Sequence, residues 1–234
     1  MPAEKMRMLD LFCGRWGWSR AFAARGWECV GVDLTEPPEI PKNCHFYKVD
    51  VLDLGGSLEL GRLPFSEGWR YDVSSFDFIC ASSPCEQFSV HGMKHFHPNP
   101  PYPELGIKLF NHTRSLCEAS GLPYVMENVR AAQQFVGQAV NHCGPFYLWG
   151  NAVPPLMAQG IAKGIDWGSS KEINAMSEQE QKRAYRDKPH FYNRDFSTSD
   201  KRRNRVAGIA TIPPELAACV ADYAEYLVRE KVPA

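Results

Sequence analysis

Five short apolar runs, each parted from the next by a helical or long polar stretch and never by a tight turn, constrain this chain most. They cover residues 6–12, 28–33, 45–49, 76–81 and 124–126. A two-residue hairpin cannot span such separations, so successive runs must pair as parallel strands with crossovers packed on the sheet. The expected fold is α/β, a doubly wound, mostly parallel sheet. Helical patterning fills the gaps. Residues 19–25 follow Ser19, a candidate N-cap, and stop at Gly26. Residues 103–120 carry Leu105, Leu109 and Leu116 and stop at Gly121. A final helix over 213–231 has Pro213 and Pro214 in its first turn and Leu216, Val220, Tyr223 and Leu227 on one face. Residues 55–71 are Gly-rich and weakly patterned, and read as a surface excursion.

At 234 residues the chain can bury a full core in one domain with a small appendage. No run approaches the length of a membrane span and no secretory leader pattern opens the sequence, so a cytoplasmic protein with no membrane contact is expected. Eight scattered cysteines without a Cys-x-x-Cys pair suggest free thiols, with no disulfide framework and no metal site. The net charge of −1 conceals an asymmetry: residues 181–205 carry +6 and the remainder −7. The basic stretch interleaves its cations with Tyr185, His190, Phe191, Tyr192 and Phe196. That mixture suits a polyanion whose bases can stack, although a solvated loop has the same composition. These features divide the chain into a sheet domain over 1–157, a basic and aromatic segment over 158–205, and a closing helix over 206–234 that packs back on the sheet domain.

Reactive groups of open α/β sheets sit just beyond the carboxyl ends of the strands, and this sequence puts chemistry there. The fourth run exits into Ser83-Pro84-Cys85-Glu86-Gln87-Phe88-Ser89, where proline ends the strand ahead of a thiol. The fifth delivers Glu127-Asn128-Val129. A thiolate and a nearby carboxyl suit addition to an electron-poor heterocycle, the first as nucleophile and the second as proton partner. Asn128 could hold the loop by bonding backbone. The first run leads into Asp10-Leu11-Phe12-Cys13-Gly14-Arg15-Trp16-Gly17-Trp18-Ser19, a glycine turn ahead of a helix that lets backbone approach a ligand. Asp33 ends the second run and could accept from ribose hydroxyls, and Asp50 follows the third and could accept from an exocyclic amine. Each group alone is compatible with a capping or packing role. Their sequence along successive strand ends points to an adenosine-containing cofactor.

Taken together, Asp10-Leu11-Phe12-Cys13-Gly14 with Gly17, then Pro84-Cys85 with Phe88-Ser89, then Glu127-Asn128-Val129 resemble the cytosine-C5 DNA methyltransferases in order and spacing. Ile212-Pro213-Pro214-Glu215-Leu216-Ala217 looks like the closing segment of small members. The resemblance implies a Rossmann-like class I fold, S-adenosyl-L-methionine as methyl donor, and DNA with a flipped cytosine as partner. It implies that Cys85 adds to C6 of the base while Glu127 engages N3 and the exocyclic amine. It implies Phe12, Gly14, Gly17, Asp33, Asp50 and Pro84 as cofactor contacts, and Ser89 and Asn128 on the substrate side. A monomer in a bacterial or phage-infected cell is expected.

Three features depart from the family pattern. Trp16 stands where a glycine is usual, and Glu86 where a glutamine is usual. A carboxylate buried beside a thiol would blunt it, so Glu86 is expected to point away. The Gln-x-Arg-x-Arg motif that helps bind base and phosphate is absent after Glu127, and Arg202, Arg203 and Arg205 are the candidate replacements. Gly150-Asn151-Ala152-Val153 resembles a late family motif, but it precedes the basic segment and reads as chance or a different local use. The stretch before the final helix is too short for a large target-recognition domain, so short or relaxed sequence preference is expected. The alternatives are an RNA cytosine-C5 methyltransferase or a non-catalytic relative that binds cofactor or DNA.

Overall fold

The first strand, β1 (Arg7–Leu11), lies near the middle of a seven-stranded sheet, and the chain leaves it in both directions. The computed structural model describes residues 5–54, 62–64, 70–92, 103–155 and 211–230. On one side of β1 lie β2 (Glu28–Asp33) and then β3 (Cys44–Lys48), both parallel to it. On the other lie β6 (Phe78–Ser82) and β7 (Tyr124–Val129), also parallel. The antiparallel hairpin of β8 (Asn141–Cys143) and β9 (Phe146–Trp149) completes that edge, giving the order β3-β2-β1-β6-β7-β9-β8. The order reverses between β1 and β6, and the crevice beyond their carboxyl ends is where ligands bind in such sheets.

Both faces of the sheet are covered, which explains why its strands read as continuous apolar runs. On one face Met8, Cys29, Phe78 and Val125 pack with α1 (Ser19–Ala24) and α5 (Pro214–Glu230). Leu216, Ala217, Val220, Ala221, Ala224 and Leu227 form the buried stripe of α5. Arg25 fastens the two helices, its guanidinium donating to Asp222 and to the carbonyl of Ala218. On the other face Leu9, Val30, Ile79 and Met126 meet α3 (Glu104–Ser120).

Several expectations change in detail. Ser19 does not cap α1 with its side chain; its hydroxyl turns inward to Asp10. The buried stripe of α3 is Gly106, Phe110, Thr113, Leu116 and Cys117, with Leu105 50% exposed. Gly106 lies on that stripe because a Cβ there would crowd the Phe88 ring at 3.2 Å. Where 55–71 reads as a surface excursion, β4 (Arg62–Pro64) pairs antiparallel with β5 (Arg70–Asp72), which closes it. Three-residue strands are too short for alternation to register. The β8–β9 hairpin was also missed: its turn is Gly144-Pro145, with Gly144 at φ 56°, a conformation glycine adopts without strain.

The chain divides into two compact units, Met1–Ile161 with Thr211–Ala234, and Ala162–Ala210. All described residues belong to the first. Arg202, Arg203 and Arg205, and the basic stretch that holds them, lie outside the described residues. Among the described residues no helix is long and apolar enough to cross a membrane, and no cluster of His, Cys, Asp and Glu could hold a metal ion.

Candidate active site at the strand ends

Strand β6 ends at Ser82, and Ser83, Pro84 and Cys85 carry the chain into α2 (Glu86–Gly92). The carbonyl of Cys85 accepts from the N–H of Ser89 at 2.9 Å, so the thiol stands at the mouth of that helix. Phe88 anchors the first turn: it is fully buried and stacks on Phe135 with centroids 6.0 Å apart. Gln87 accepts from the N–H of Gly106 at 2.7 Å, tying α2 to α3. Glu86 is exposed in the first turn, apart from the buried interior, where a carboxylate complements the positive end of the helix.

Glu127 pairs with Ser82 across the β6–β7 ladder, three residues ahead of Cys85 on the neighbouring strand. It is 7% exposed. The next residue locks the arrangement. Asn128 is fully buried, and its amide donates to the carbonyl and the hydroxyl of Ser83, each at 3.1 Å. The strand that carries Glu127 thus holds the loop that carries Cys85. Ser82 is held from the other side by the Trp18 indole, which donates to its hydroxyl at 2.9 Å. That last clamp joins the β1 turn to the β6 end, and no sequence signal marked it.

Among the eight thiols, only Cys85 and Cys219 are partly accessible. Burial pushes the thiols of Cys13, Cys80 and Cys117 up, leaving them protonated and inert. Accessibility at a strand end therefore singles out Cys85, because Cys219 sits on α5.

The β1 turn is built around backbone conformations that most side chains avoid: Phe12 at φ 61°, Gly14 at 47° and Trp16 at 65°. Such outliers cluster at ligand sites. Asp33 organises the turn, accepting from the N–H of Gly14 at 3.1 Å and from that of Thr35 at 2.9 Å. Asp50 accepts from the N–H of Leu52 at 3.0 Å. Both acids are half-buried, and a carboxylate keeps lone pairs beyond one bond per oxygen. An exposed glycine turn held by one such acid, with the second acid following β3, supplies acceptors of the kind that the hydroxyls and amine of S-adenosylmethionine require. Gly17 has a packing reason as well, since a Cβ there would lie 2.9 Å from the backbone nitrogen of Ile212. Pro84 is exposed and Ser89 half-buried.

Trp16 is accommodated by a slot over β2. Its ring is fully buried, donates to the carbonyl of Glu39 at 3.0 Å, and meets Phe46 edge-on. Gly31 makes the slot, and the glycine-to-tryptophan departure in the turn is legible only once these two positions are seen together. Gly150-Asn151-Ala152 serves the opposite end of the sheet. Asn151 accepts from the N–H of Tyr124 at 2.8 Å, and a Cβ on Gly150 would stand 2.2 Å from the Tyr124 carbonyl.

Asp10 is the one buried acid beneath the turn with an unpaired oxygen among the described residues. Burial raises its pKa from 3.8 to about 7, opposed by hydrogen bonds from Ser19, including its hydroxyl at 2.5 Å, and assisted by Asp33. Between roughly pH 4 and 7 the folded chain retains a proton that the unfolded chain has released. Stability from this group therefore falls as pH rises through that window, by on the order of 4 kcal/mol in full. Urea melts of wild type and Asp10→Asn from pH 5 to 8 are expected to show a markedly flatter decline in the variant. Parallel declines would show that Asp10 ionises freely.

Comparison with known proteins places this geometry. The family described as C-5 cytosine-specific DNA methylase matches residues 6–142, which hold the whole β1 turn, Cys85 and Glu127. No curated protein matches the chain. Among solved structures, the bifunctional kinase-methyltransferase WbdD is similar at 16% identity over 53% of this chain, with a TM-score of 0.28. Monomeric WbdD is similar at 17% identity over 63%, with a TM-score of 0.31. The matched regions span 24% and 37% of those chains, and overlap this slight adds nothing to the assignment. The family match runs through more than half of the sequence and through every strand of the parallel sheet, and on it the chain belongs to the C-5 cytosine-specific DNA methylases.

Proposed function

We propose that this chain transfers a methyl group to C5 of cytosine in DNA through a covalent bond between Cys85 and C6 of the base. The reading is carried by one observation: Asn128, next to Glu127, holds Ser83 in the loop that ends at Cys85. A nucleophile and an acid fixed on adjacent strand ends suit an addition that must later reverse. The Cys85 thiolate adds to C6, and the electron pair of the C5–C6 double bond gathers toward C5. Glu127, at N3 and the exocyclic amine, shares a proton with the ring and so steadies the charge pushed onto it. S-adenosylmethionine, when bound, supplies an electrophilic methyl to that carbon. Loss of the C5 proton to a base then expels the Cys85 sulfur, restores the double bond and returns the thiolate.

Phe12, Gly14, Gly17, Asp33, Asp50 and Pro84 are proposed to hold the cofactor. On the substrate side we assign Ser89, with Arg202, Arg203 and Arg205 as phosphate contacts. Asn128 then serves the substrate through the loop it fixes. With only a short stretch between Gly150 and the final helix for base readout, target preference is short or relaxed and binding depends steeply on salt. A cytoplasmic monomer in a bacterial or phage-infected cell suits a DNA substrate and reduced thiols. Purified chain with labelled S-adenosylmethionine and equimolar duplex DNA and transfer RNA tests the reading. Label is expected in DNA as 5-methylcytosine by nucleoside mass spectrometry. Label confined to RNA, or to neither, would overturn it.

A further inference from the structure

We infer that Arg130 binds a DNA phosphate beside the reacting cytosine, a role that rests on the proposed DNA substrate. Strand β7 ends at Val129, and Arg130 opens the single turn Arg130–Ala132 that follows. It therefore stands three residues beyond Glu127, at the carboxyl end of the strand. The turn is firmly seated: Ala132 is fully buried, the Arg130 carbonyl is capped by the backbone N–H of Gln133, and the turn packs against the helix that Cys85 opens. The side chain of Arg130 is exposed.

What sets it apart is the absence of a partner. Arg7, Arg20, Arg25 and Arg229 each hold a carboxylate, and Arg114 holds the carbonyl of Val136. No such partner engages Arg130 among the described residues. Holding an unpaired guanidinium there brings no ion pair and no packing to the fold. It does bring a planar, permanently charged donor of the kind that grips phosphate. The surroundings sharpen the point. Outside residues 181–205 the chain carries −7, a field that repels a polyanion, so a free cation at this edge offsets repulsion where the backbone of an extruded nucleotide must pass.

The test compares wild type, Arg130→Ala and Arg130→Lys. Readouts are methylation kinetics, duplex DNA binding across salt, and S-adenosylmethionine binding. Arg130→Ala is expected to raise Kd and KM for DNA about tenfold and to lower the salt slope by about 0.9, the loss of one phosphate contact. Cofactor affinity and melting temperature stay at the wild-type values. Arg130→Lys keeps the slope, because the charge remains, with affinity between the other two. An unchanged slope in the alanine variant overturns the assignment, as does an equal loss of cofactor binding, which would mark a structural residue. If wild type itself neither binds nor methylates DNA, the proposed substrate fails and this role with it. If wild type methylates DNA and Arg130→Ala matches it, only this role fails.

Discussion

Cys85→Ala is expected to lower methyl transfer by about 10⁴-fold or more while leaving the fold and cofactor binding intact. The size follows from the proposed chemistry: without a sulfur at C6 the ring has no route to a carbon nucleophile at C5, and neither Glu127 nor the β1 turn can replace that bond. The selectivity follows from the position. Cys85 is half-exposed on a loop fixed by Asn128 and by the burial of Phe88, so its truncation removes little packing and should cost less than about 0.5 kcal/mol. Three measurements separate the effects: the single-turnover rate, the melting temperature, and a mass-shifted covalent complex with 5-fluorocytosine DNA. Wild type forms that complex only with cofactor, and Cys85→Ala never does. Cys219→Ala is the control, since Cys219 is the other partly accessible thiol but sits on α5, and it should behave as wild type. Activity within tenfold of wild type in Cys85→Ala, or a surviving adduct, would falsify the covalent route.

The parallel half of the sheet was legible in the sequence because burial on both faces writes continuous apolar runs, as in Cys29-Val30-Gly31-Val32 and Phe78-Ile79-Cys80-Ala81. The placement of the candidate site residues was legible because parallel strands all end on one side, so motifs far apart in sequence converge without any long-range information. Of the clamps, only the role of Asn128 in holding the loop through a backbone carbonyl was legible. Trp18 donating to Ser82 and Ser19 to Asp10 span 64 and 9 residues, and nothing local in either partner announces the other. The β8–β9 hairpin failed differently: three- and four-residue strands are shorter than the window in which alternation can be recognised. Glu86 looked anomalous beside a nucleophile only while the helix it begins was unknown; as an exposed first-turn acid it has an ordinary reason to be there.

Trp16 and Gly31 form the pair on which the β1 turn, proposed to hold the cofactor, stands, and Gly31→Ala is expected to destabilise the chain by about 3 kcal/mol, a fall in Tm of roughly 6–12 °C. The added methyl would lie 2.3 and 2.5 Å from two carbons of the Trp16 ring and 2.9 Å from the Cβ of Cys13. Neither side can yield cheaply. Gly31 is in the interior of β2, paired with Asp10 on one flank and Phe46 on the other. The indole is fully buried, bonded to the Glu39 carbonyl and packed on Phe46. The strain must therefore pass into the turn that presents Phe12 and Gly14, so weakened S-adenosylmethionine binding should accompany the loss of stability. A double-mutant cycle distinguishes this clash from a general intolerance of β2. Trp16→Gly alone opens a cavity and costs about 3–5 kcal/mol. Gly31→Ala placed on that background has room for its methyl and should cost less than about 1 kcal/mol, leaving a coupling of about 2 kcal/mol or more between the two positions. Additive costs would mean that the tryptophan does not depend on the glycine beneath it.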